Sequence, residues 1–435
     1  MPILKENQEN QKRDLPEEPK NISKLHGKLA LFRQRQEQRM VERDPAFTES
    51  LTPAEKIDES APLEKGGIDG WFLLWAVLLL CLGAIMSYSA SAVYAERNYD
   101  SATYYLWRYI LFGVIASVVT AFFVAFARPW FWRVFGVGAY GVSMLLLLLV
   151  LVIGAAEGVA QRWIDFGFFT LQPSEIAKMA VVMVLALYMS KYEKRITSTG
   201  KFGGSLKHGF LIPMGIIGVI CALVALERHI SGLMIVGMLG LVVMYLGGTR
   251  MKYLAIFLGI IAVAGVFLIL VSDYAQTRVE IWWNLEEADP LGSAWQTLQG
   301  MYAIGSGGFF GLGLGYSRQK FGYVSQPQND FIFTIICEEL GFVGAFLVIL
   351  LFGLLIWRGI RIGQKAPDKF SALVVWGLTF KIALQVAMNI AVVTNMMPNT
   401  GISLPFFSTG GSSLMLQIFE IGIILSISRF SSQKK

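Results

Sequence analysis

The chain has 435 residues, of which 54% are hydrophobic and only 16% are charged, and its formal net charge is +6. So few charges in so long a chain exclude an ordinary soluble domain and indicate a multi-span membrane protein. The basic residues lie in short clusters between apolar runs, so the positive balance does not indicate nucleic-acid binding. Cys81, Cys221 and Cys337 and three scattered histidines form neither a disulfide framework nor a zinc motif.

The first 69 residues are polar, mix acidic with basic side chains and contain few aromatics. This composition predicts a cytoplasmic, mostly disordered N-terminal tail. A short basic amphipathic helix on the membrane surface, over residues 28–43, is the alternative for part of it. A membrane domain over 70–430 and a short cytoplasmic C-terminal tail, 431–435, complete the predicted organisation.

A helix that crosses a bilayer needs about 20 mostly apolar residues. The chain offers about ten such runs, which predict an all-α polytopic membrane protein with a large loop, 272–330, between the seventh and eighth spans. The runs are 70–92, 105–127, 133–154, 173–190, 209–226, 230–247, 253–271, 331–357, 370–394 and 412–428.

Lysine and arginine cluster in alternate loops, and such clusters mark the cytoplasmic side. They fall around Arg128 and Arg133, across 191–207, at Arg250, and across 358–369. Both termini are therefore predicted to be cytoplasmic, in agreement with an even number of spans. The remaining loops would be extracytoplasmic, and their polar residues would converge on one outer site.

Glu175 and Lys178 begin the fourth span, just after Pro173, which suits the first turn of a helix. Their spacing of three places them on one helical face, where they can pair. Ionisable groups inside a membrane domain indicate function by default, although a structural ion pair at the helix entry is the alternative. Lys178, or Arg162 in the preceding loop, could instead hold a diphosphate, for which arginine offers a two-pronged donor.

Asp289 lies in the large loop, directly before Pro290 and close to Gly292. The residues alone leave two interpretations open, a plain turn and a reactive carboxylate. The glycine-dense segment 305–315 is not a nucleotide-binding motif, and it is predicted to pack tightly as irregular backbone. The buried acidic and basic residues of the later spans are interpreted as interhelical pairs. These are Glu338, Glu339, Lys381 and Glu420.

Several stretches, in order along the chain, resemble the SEDS family of bacterial cell-wall polymerases (FtsW, RodA and SpoVE). The resemblance runs from about residue 70 to 430. It is carried by Met-Ser-Tyr-Ser-Ala-Ser at 86–91, Gly-Val-Ala-Gln-Arg-Trp-Ile at 158–164, Gln-Pro-Ser-Glu at 172–175, Asp-Pro at 289–290, Ala-Ile-Gly-Ser-Gly-Gly at 303–308, Asn-Asp-Phe-Ile-Phe at 329–333, Glu-Glu-Leu-Gly at 338–341, Met-Pro-Asn-Thr-Gly-Ile-Ser-Leu-Pro-Phe at 397–406 and Gly-Gly-Ser-Ser at 410–413.

The resemblance implies a glycosyltransferase that polymerises lipid II, its undecaprenyl-diphosphate-linked substrate, with inversion at the donor sugar. It implies Asp289 as the general base, and Arg162, Glu175 and Lys178 as residues that bind the diphosphate or organise the site. Candidates for supporting roles are Gln161, Gln296, Asp330 and Ser412. No protein-bound metal is predicted, although a divalent cation, Mg or Mn, could help neutralise the diphosphate.

The motifs at 161–164 and 399–406 are more similar to the division branch (FtsW and SpoVE) than to the elongation branch (RodA). The division branch implies a septal location in the cell membrane, a class B penicillin-binding transpeptidase as partner, and contacts with other division proteins and membrane lipids. The usual Pro-Asp-Leu-Gly of the family is replaced by residues 228–232, so no role is assigned there. Smaller departures from the family pattern are Gly300, Asn399 and Thr409.

Two other functions are compatible with the sequence. A lipid II flippase would also carry charges within its spans, but it should tolerate replacement of Asp289. A non-catalytic scaffold that recruits a transpeptidase should tolerate loss of any outer carboxylate. An elongation-type polymerase is the alternative within the family.

Overall fold

The computed structural model describes residues 66–430, apart from 158–159, 168, 198–205, 228, 272–275, 277–278, 281, 286–293, 325–326 and 409–410. The predicted N-terminal tail, apart from its last four residues, and the C-terminal tail lie outside this range. The helices are α1 Gly70–Tyr99, α2 Tyr104–Phe126, α3 Pro129–Ile153, α4 Pro173–Lys191, α5 Glu193–Thr197, α6 Ile212–Leu226, α7 Ile230–Gly247, α8 Met251–Val271, α9 Trp295–Ser306, α10 Ile332–Gln364, α11 Lys369–Val393 and α12 Gly411–Ser428.

The predicted polytopic all-helical class is confirmed. Within the described residues, nine helices are long and apolar enough to cross a membrane, and these are α1 to α4, α6 with a preceding π-helical turn (Lys207–Leu211), α7, and α10 to α12. The 21-residue helix α8 occupies the position of the remaining predicted span. Helices α5 and α9 are too short to cross a membrane and lie in the connections between spans.

The structure corrects two span boundaries and adds a small sheet. Helix α1 continues to Tyr99 and α10 to Gln364, seven residues beyond the predicted ends in each case. The loop between α3 and α4 forms a three-stranded antiparallel sheet. Its strands are β1 Ala155–Glu157, β2 Ala160–Asp165 and β3 Thr170–Leu171.

Helices α4, α11 and α12 form the centre of the bundle, since most of each is buried inside the protein, whereas α2 and α3 expose most of their length. Glycines permit the close approaches. An added Cβ at Gly377 of α11 would lie 2.4 Å from Val182 of α4, and one at Gly422 of α12 would lie 2.1 Å from Thr120 of α2. Small residues have this role in membrane helix packing.

Helix α10 is interrupted at Gly341, whose φ of 66° and ψ of −165° are not helical. At the break, the carbonyls of Glu338 and Glu339 accept hydrogen bonds from the backbone of the glycine-dense segment, at Leu312 (2.9 Å) and Gly313 (3.0 Å). In return, the N–H of Phe342 donates to a carbonyl of that segment. Backbone groups freed at membrane depth must find such partners. The predicted tight packing of residues 305–315 is therefore observed as an exchange of hydrogen bonds with α10.

Replacing Gly341 with Ala is expected to destabilise the protein by about 3 kcal/mol, because a Cβ would lie 2.3 Å from the backbone nitrogen of Gly311 at a positive φ. Gly353→Ala, in the same helix with no atom within 4 Å of the added Cβ, is the matched control. Thermal unfolding in detergent measures both. Equal unfolding temperatures for the two variants would contradict this account of the break.

Polar contacts join the helix ends at the predicted inner face. Asp69, the N-cap of α1, forms an ion pair with Arg358 of α10 (2.9 Å), and its N–H donates to the hydroxyl of Ser428 at the end of α12. Arg133 of α3 pairs with Asp368, the N-cap of α11. The described chain therefore begins and ends at the same face, as the loop charges predict.

Candidate functional site

The sheet between α3 and α4 places Arg162 beside the start of α4. Strand β2 carries Arg162 and pairs with β3, with Ile164 opposite Leu171, and β3 leads directly into the Pro173 that begins α4. Arg162 is half-buried, and its Nε has no hydrogen-bond partner among the described residues. A buried donor without an acceptor is costly, and an anionic acceptor beside this nitrogen would relieve that cost.

Four buried charges form one row across the centre of the bundle. Lys178 donates to Glu175 (2.5 Å) on the same face of α4, as their spacing predicts. The other oxygen of Glu175 lies 3.6 Å from Lys381 of α11, which also pairs with Glu420 of α12 (2.5 Å). We call these four residues the charge row. It contains two cations and two anions, so its formal charge is zero.

The connection between α6 and α7 lies against the start of α4. The Nδ1 of His229 is 3.3 Å from the hydroxyl of Ser174, and Ser231 donates to the carbonyl of Thr400. Glu227 is 2% exposed, and neither of its carboxyl oxygens has a hydrogen-bond partner among the described residues.

Burial sets the protonation states of this connection. It raises the pKa of the Glu227 carboxyl to about 8, against the opposing effect of the Arg162 charge. Burial also lowers the pKa of His229 to about 3, and the positive charges of Lys178 and Arg162 act in the same direction. At neutral pH the fold therefore favours an uncharged Glu227 and an uncharged His229.

The loop between α11 and α12 connects the start of α7 to the large loop. Asn399 donates from its side chain to Gln296 in the first turn of α9 (3.3 Å). Asn389 of α11 donates to the carbonyls of Asp330 and Ile402 (both 2.7 Å). Two of the predicted supporting residues, Gln296 and Asp330, therefore lie in the network that also contains Thr400 and Ser231.

The remaining predicted site residues are placed as follows. Asp289 lies outside the described residues, as does the side chain of Gln161, which belongs to β2. Ser412 is buried at the start of α12, with no hydrogen-bond partner for its hydroxyl among the described residues. The roles assigned to all these residues stay predictions.

A second buried cluster was not predicted as a unit. Glu339 accepts hydrogen bonds from Ser89 of α1 and forms an ion pair with Lys320 (3.0 Å), while Glu338 accepts from Ser317 and from the backbone N–H of Arg318 (2.9 Å). These contacts fix the second half of the large loop to α1 and α10. The sequence showed the two glutamates but not their partners, because Ser89 lies on a distant helix and Ser317, Arg318 and Lys320 come from a loop without a periodic pattern.

Within the ranges that the structure describes, no group of three or more His, Cys, Asp or Glu side chains is arranged to hold a metal ion. Among the predicted site residues, the two cations that could neutralise an anion near the predicted outer face are Arg162 and Lys178. Both have positions that the structure defines.

The fold and these contacts define a polytopic membrane protein with buried polar clusters where connections meet the helix ends. The chain belongs to the FtsW/RodA/SpoVE family, whose model, described as a cell cycle protein, matches residues 71–433. Stage V sporulation protein E of Bacillus subtilis (strain 168) is 41% identical over 372 residues, which cover 85% of this chain and 99% of that protein.

A probable peptidoglycan glycosyltransferase FtsW of Trichlorobacter lovleyi is 35% identical and covers 84% of this chain and 94% of its own length. Among solved structures, a chain of a peptidoglycan synthase complex matches with a TM-score of 0.69 and 24% identity, over 84% of this chain and 99% of that chain. The rod shape determining protein RodA of Thermus thermophilus matches with a TM-score of 0.61 and 24% identity, over 84% of this chain and 98% of its own. These structural matches confirm the fold.

Proposed function

We propose that this protein is a peptidoglycan glycosyltransferase that polymerises lipid II at the outer face of the bacterial cell membrane. Several relatives bear the name probable peptidoglycan glycosyltransferase FtsW, and the chain shares their family over nearly its whole membrane domain. The observation that carries the site is the placement of Arg162, the start of α4 with Glu175 and Lys178, and the 395–401 segment, which Ser231 contacts, at one end of the bundle.

In the proposed reaction, the 4-hydroxyl of the acceptor GlcNAc attacks the anomeric carbon of the donor sugar. A new C–O bond forms there, the bond to the diphosphate oxygen breaks, and the leaving undecaprenyl diphosphate takes the electron pair. Asp289 accepts the hydroxyl proton, and Arg162 and Lys178 stabilise the charge on the leaving diphosphate. A divalent cation that enters with the diphosphate stays a prediction.

The placement of Asp289 is supported by the described residues on either side of it. Trp282 donates from its indole N–H to the carbonyl of Asn395 (3.0 Å), and Gln296 accepts from Asn399. Asp289 lies seven residues from each of these two anchors. Both flanks of its segment are thus fixed to the same short loop, which also accepts a hydrogen bond from Ser231 of α7 at Thr400.

We assign the protein to the division branch, with a class B penicillin-binding transpeptidase as partner at the septum. The branch rests on the sequence motifs and on the FtsW relatives, and the partner on the family and on the matched peptidoglycan synthase complex, which coordinates polymerization with crosslinking. The 41% identical sporulation protein favours, as a second candidate, the same reaction during sporulation.

The test is polymerisation of lipid II by the purified protein, alone and with a class B transpeptidase, with glycan chain length as the readout. Glycan chains are expected from the wild type. Transfer of fluorescent lipid II across vesicle membranes is measured in parallel. Lipid transfer without any glycan product, under either condition, would replace the polymerase with the flippase.

A further inference from the structure

Glu227 presents an electrostatic problem that the proposed reaction does not solve. Its carboxyl is buried at the predicted outer end of α6, and neither oxygen has a hydrogen-bond partner among the described residues. An ionised carboxylate without partners is among the most costly groups to bury. Burying the carboxyl as a neutral acid costs less free energy, because the neutral form is hydrated much more weakly in water than the ionised form.

The described charged groups that act on Glu227 and on His229 beside it come from two elements, β2 and α4. Arg162 on β2 is the charge that acts directly on the carboxyl. Glu175 and Lys178 on α4 act on His229, in the same connection, which burial keeps neutral. Arg228 lies outside the described residues. Arg162 is therefore the one described cation that an ionised Glu227 would stabilise electrostatically.

We propose that Glu227 carries a proton in the resting protein and thereby keeps the positive charge of Arg162 available to an anionic diphosphate, so that substrate binding is coupled to proton binding at Glu227. This inference rests on the proposed function, in which Arg162 and Lys178 hold the diphosphate. Glu227 acts through Arg162 and is a positioning residue, since it does not need to touch the substrate.

The direction of the coupling follows from charge. Burial raises the pKa of Glu227 to about 8 in the free protein. A diphosphate bound at Arg162 adds negative charge nearby and raises this pKa further, so the complex takes up a proton as it forms near pH 8. As pH rises above 8, Glu227 loses its proton, neutralises Arg162 and weakens binding.

The experiment measures the affinity of the full-length protein in nanodiscs for undecaprenyl diphosphate between pH 7 and 9.5. Over this range the diphosphate keeps its charge, because the last ionisation of a phosphate group lies near pH 6. His229, with its pKa near 3, does not titrate. For the wild type, Kd is expected to rise roughly tenfold from the lowest to the highest pH, the effect of losing one charge-assisted contact.

Glu227→Gln is the decisive variant because it mimics the neutral acid. Its Kd is expected to stay constant with pH and to be roughly tenfold lower than that of the wild type at pH 9.5. A merely structural role cannot produce such a gain. Glu96→Gln, at an exposed position near the end of α1, is the control and should keep the wild-type profile. In turnover assays the same loss above pH 8 should appear in kcat/KM of the wild type and be absent from Glu227→Gln.

The outcomes separate the two proposals. A pH-independent Kd in the wild type, or a slope that persists in Glu227→Gln, would overturn the coupling and leave the polymerase in place. Glycan synthesis by a wild type that shows no affinity for undecaprenyl diphosphate at any pH would overturn the role of Arg162 and Lys178, and the coupling with it. Absence of glycan synthesis under all conditions would count against the proposed function itself.

Discussion

Asp289→Asn is expected to lower the rate of lipid II polymerisation by about 10² to 10⁴-fold, the usual contribution of a general base. The amide has nearly the same shape as the carboxylate but cannot accept the hydroxyl proton. The measurement is glycan chain formation by purified protein with a class B transpeptidase, after size-exclusion chromatography has shown that the variant is folded.

Glu287→Gln is the matched control, because it removes a carboxylate two residues away in the same loop. It should keep most of the wild-type activity. If Asp289→Asn makes glycan chains as fast as Glu287→Gln, Asp289 is a turn residue before Pro290, and the base must be sought elsewhere.

Lys381→Met is expected to destabilise the protein by about 3 to 5 kcal/mol, the largest stability effect that the structure indicates. Lys381 is fully buried and is the cation that Glu175 and Glu420 share. Removing it leaves Glu420 without its ion-pair partner in the centre of the bundle. Thermal unfolding in detergent should show the loss as a decrease of roughly 5 to 10 °C.

A second substitution distinguishes a lost ion pair from lost packing. In the Lys381→Met background, Glu420→Gln removes the stranded carboxylate and should recover a large part of the lost stability. An additive effect of the two substitutions would show that the two side chains stabilise the bundle independently of each other.

The sequence was sufficient for the spans because a run of about 20 apolar residues is a local property. The ends were less certain, since α1 and α10 continue past their apolar runs into polar residues that favour helix no less than loop. Helix α10 continues through Arg358 and Arg361, for example, and basic side chains stabilise a helix C-terminus. The break at Gly341 could not be predicted, because it depends on hydrogen bonds to a segment about 30 residues earlier.

The candidate site, like the fold, was predictable only where it depends on residues close together in the sequence. The pairing of Glu175 with Lys178 follows from a spacing of three on one helix. The roles of Lys381 and Glu420 required the packing of α4, α11 and α12, because a sequence shows buried charges but not which of them meet. The sequence assigns no role to Glu227, because the residues that follow it depart from the family pattern, and its burial without hydrogen-bond partners is a property of the packed structure alone.

The charge row also determines what the bundle does when Lys178 turns toward an anion. Glu175 would then lose its nearest cation, but Lys381 already lies 3.6 Å from its other oxygen and can accept it as a new partner. Lys381 would then form ion pairs with both Glu175 and Glu420. The charge row thus joins the start of α4 to α12 through a continuous series of ion pairs, and the last residue of α12 is hydrogen-bonded to Asp69, the N-cap of α1.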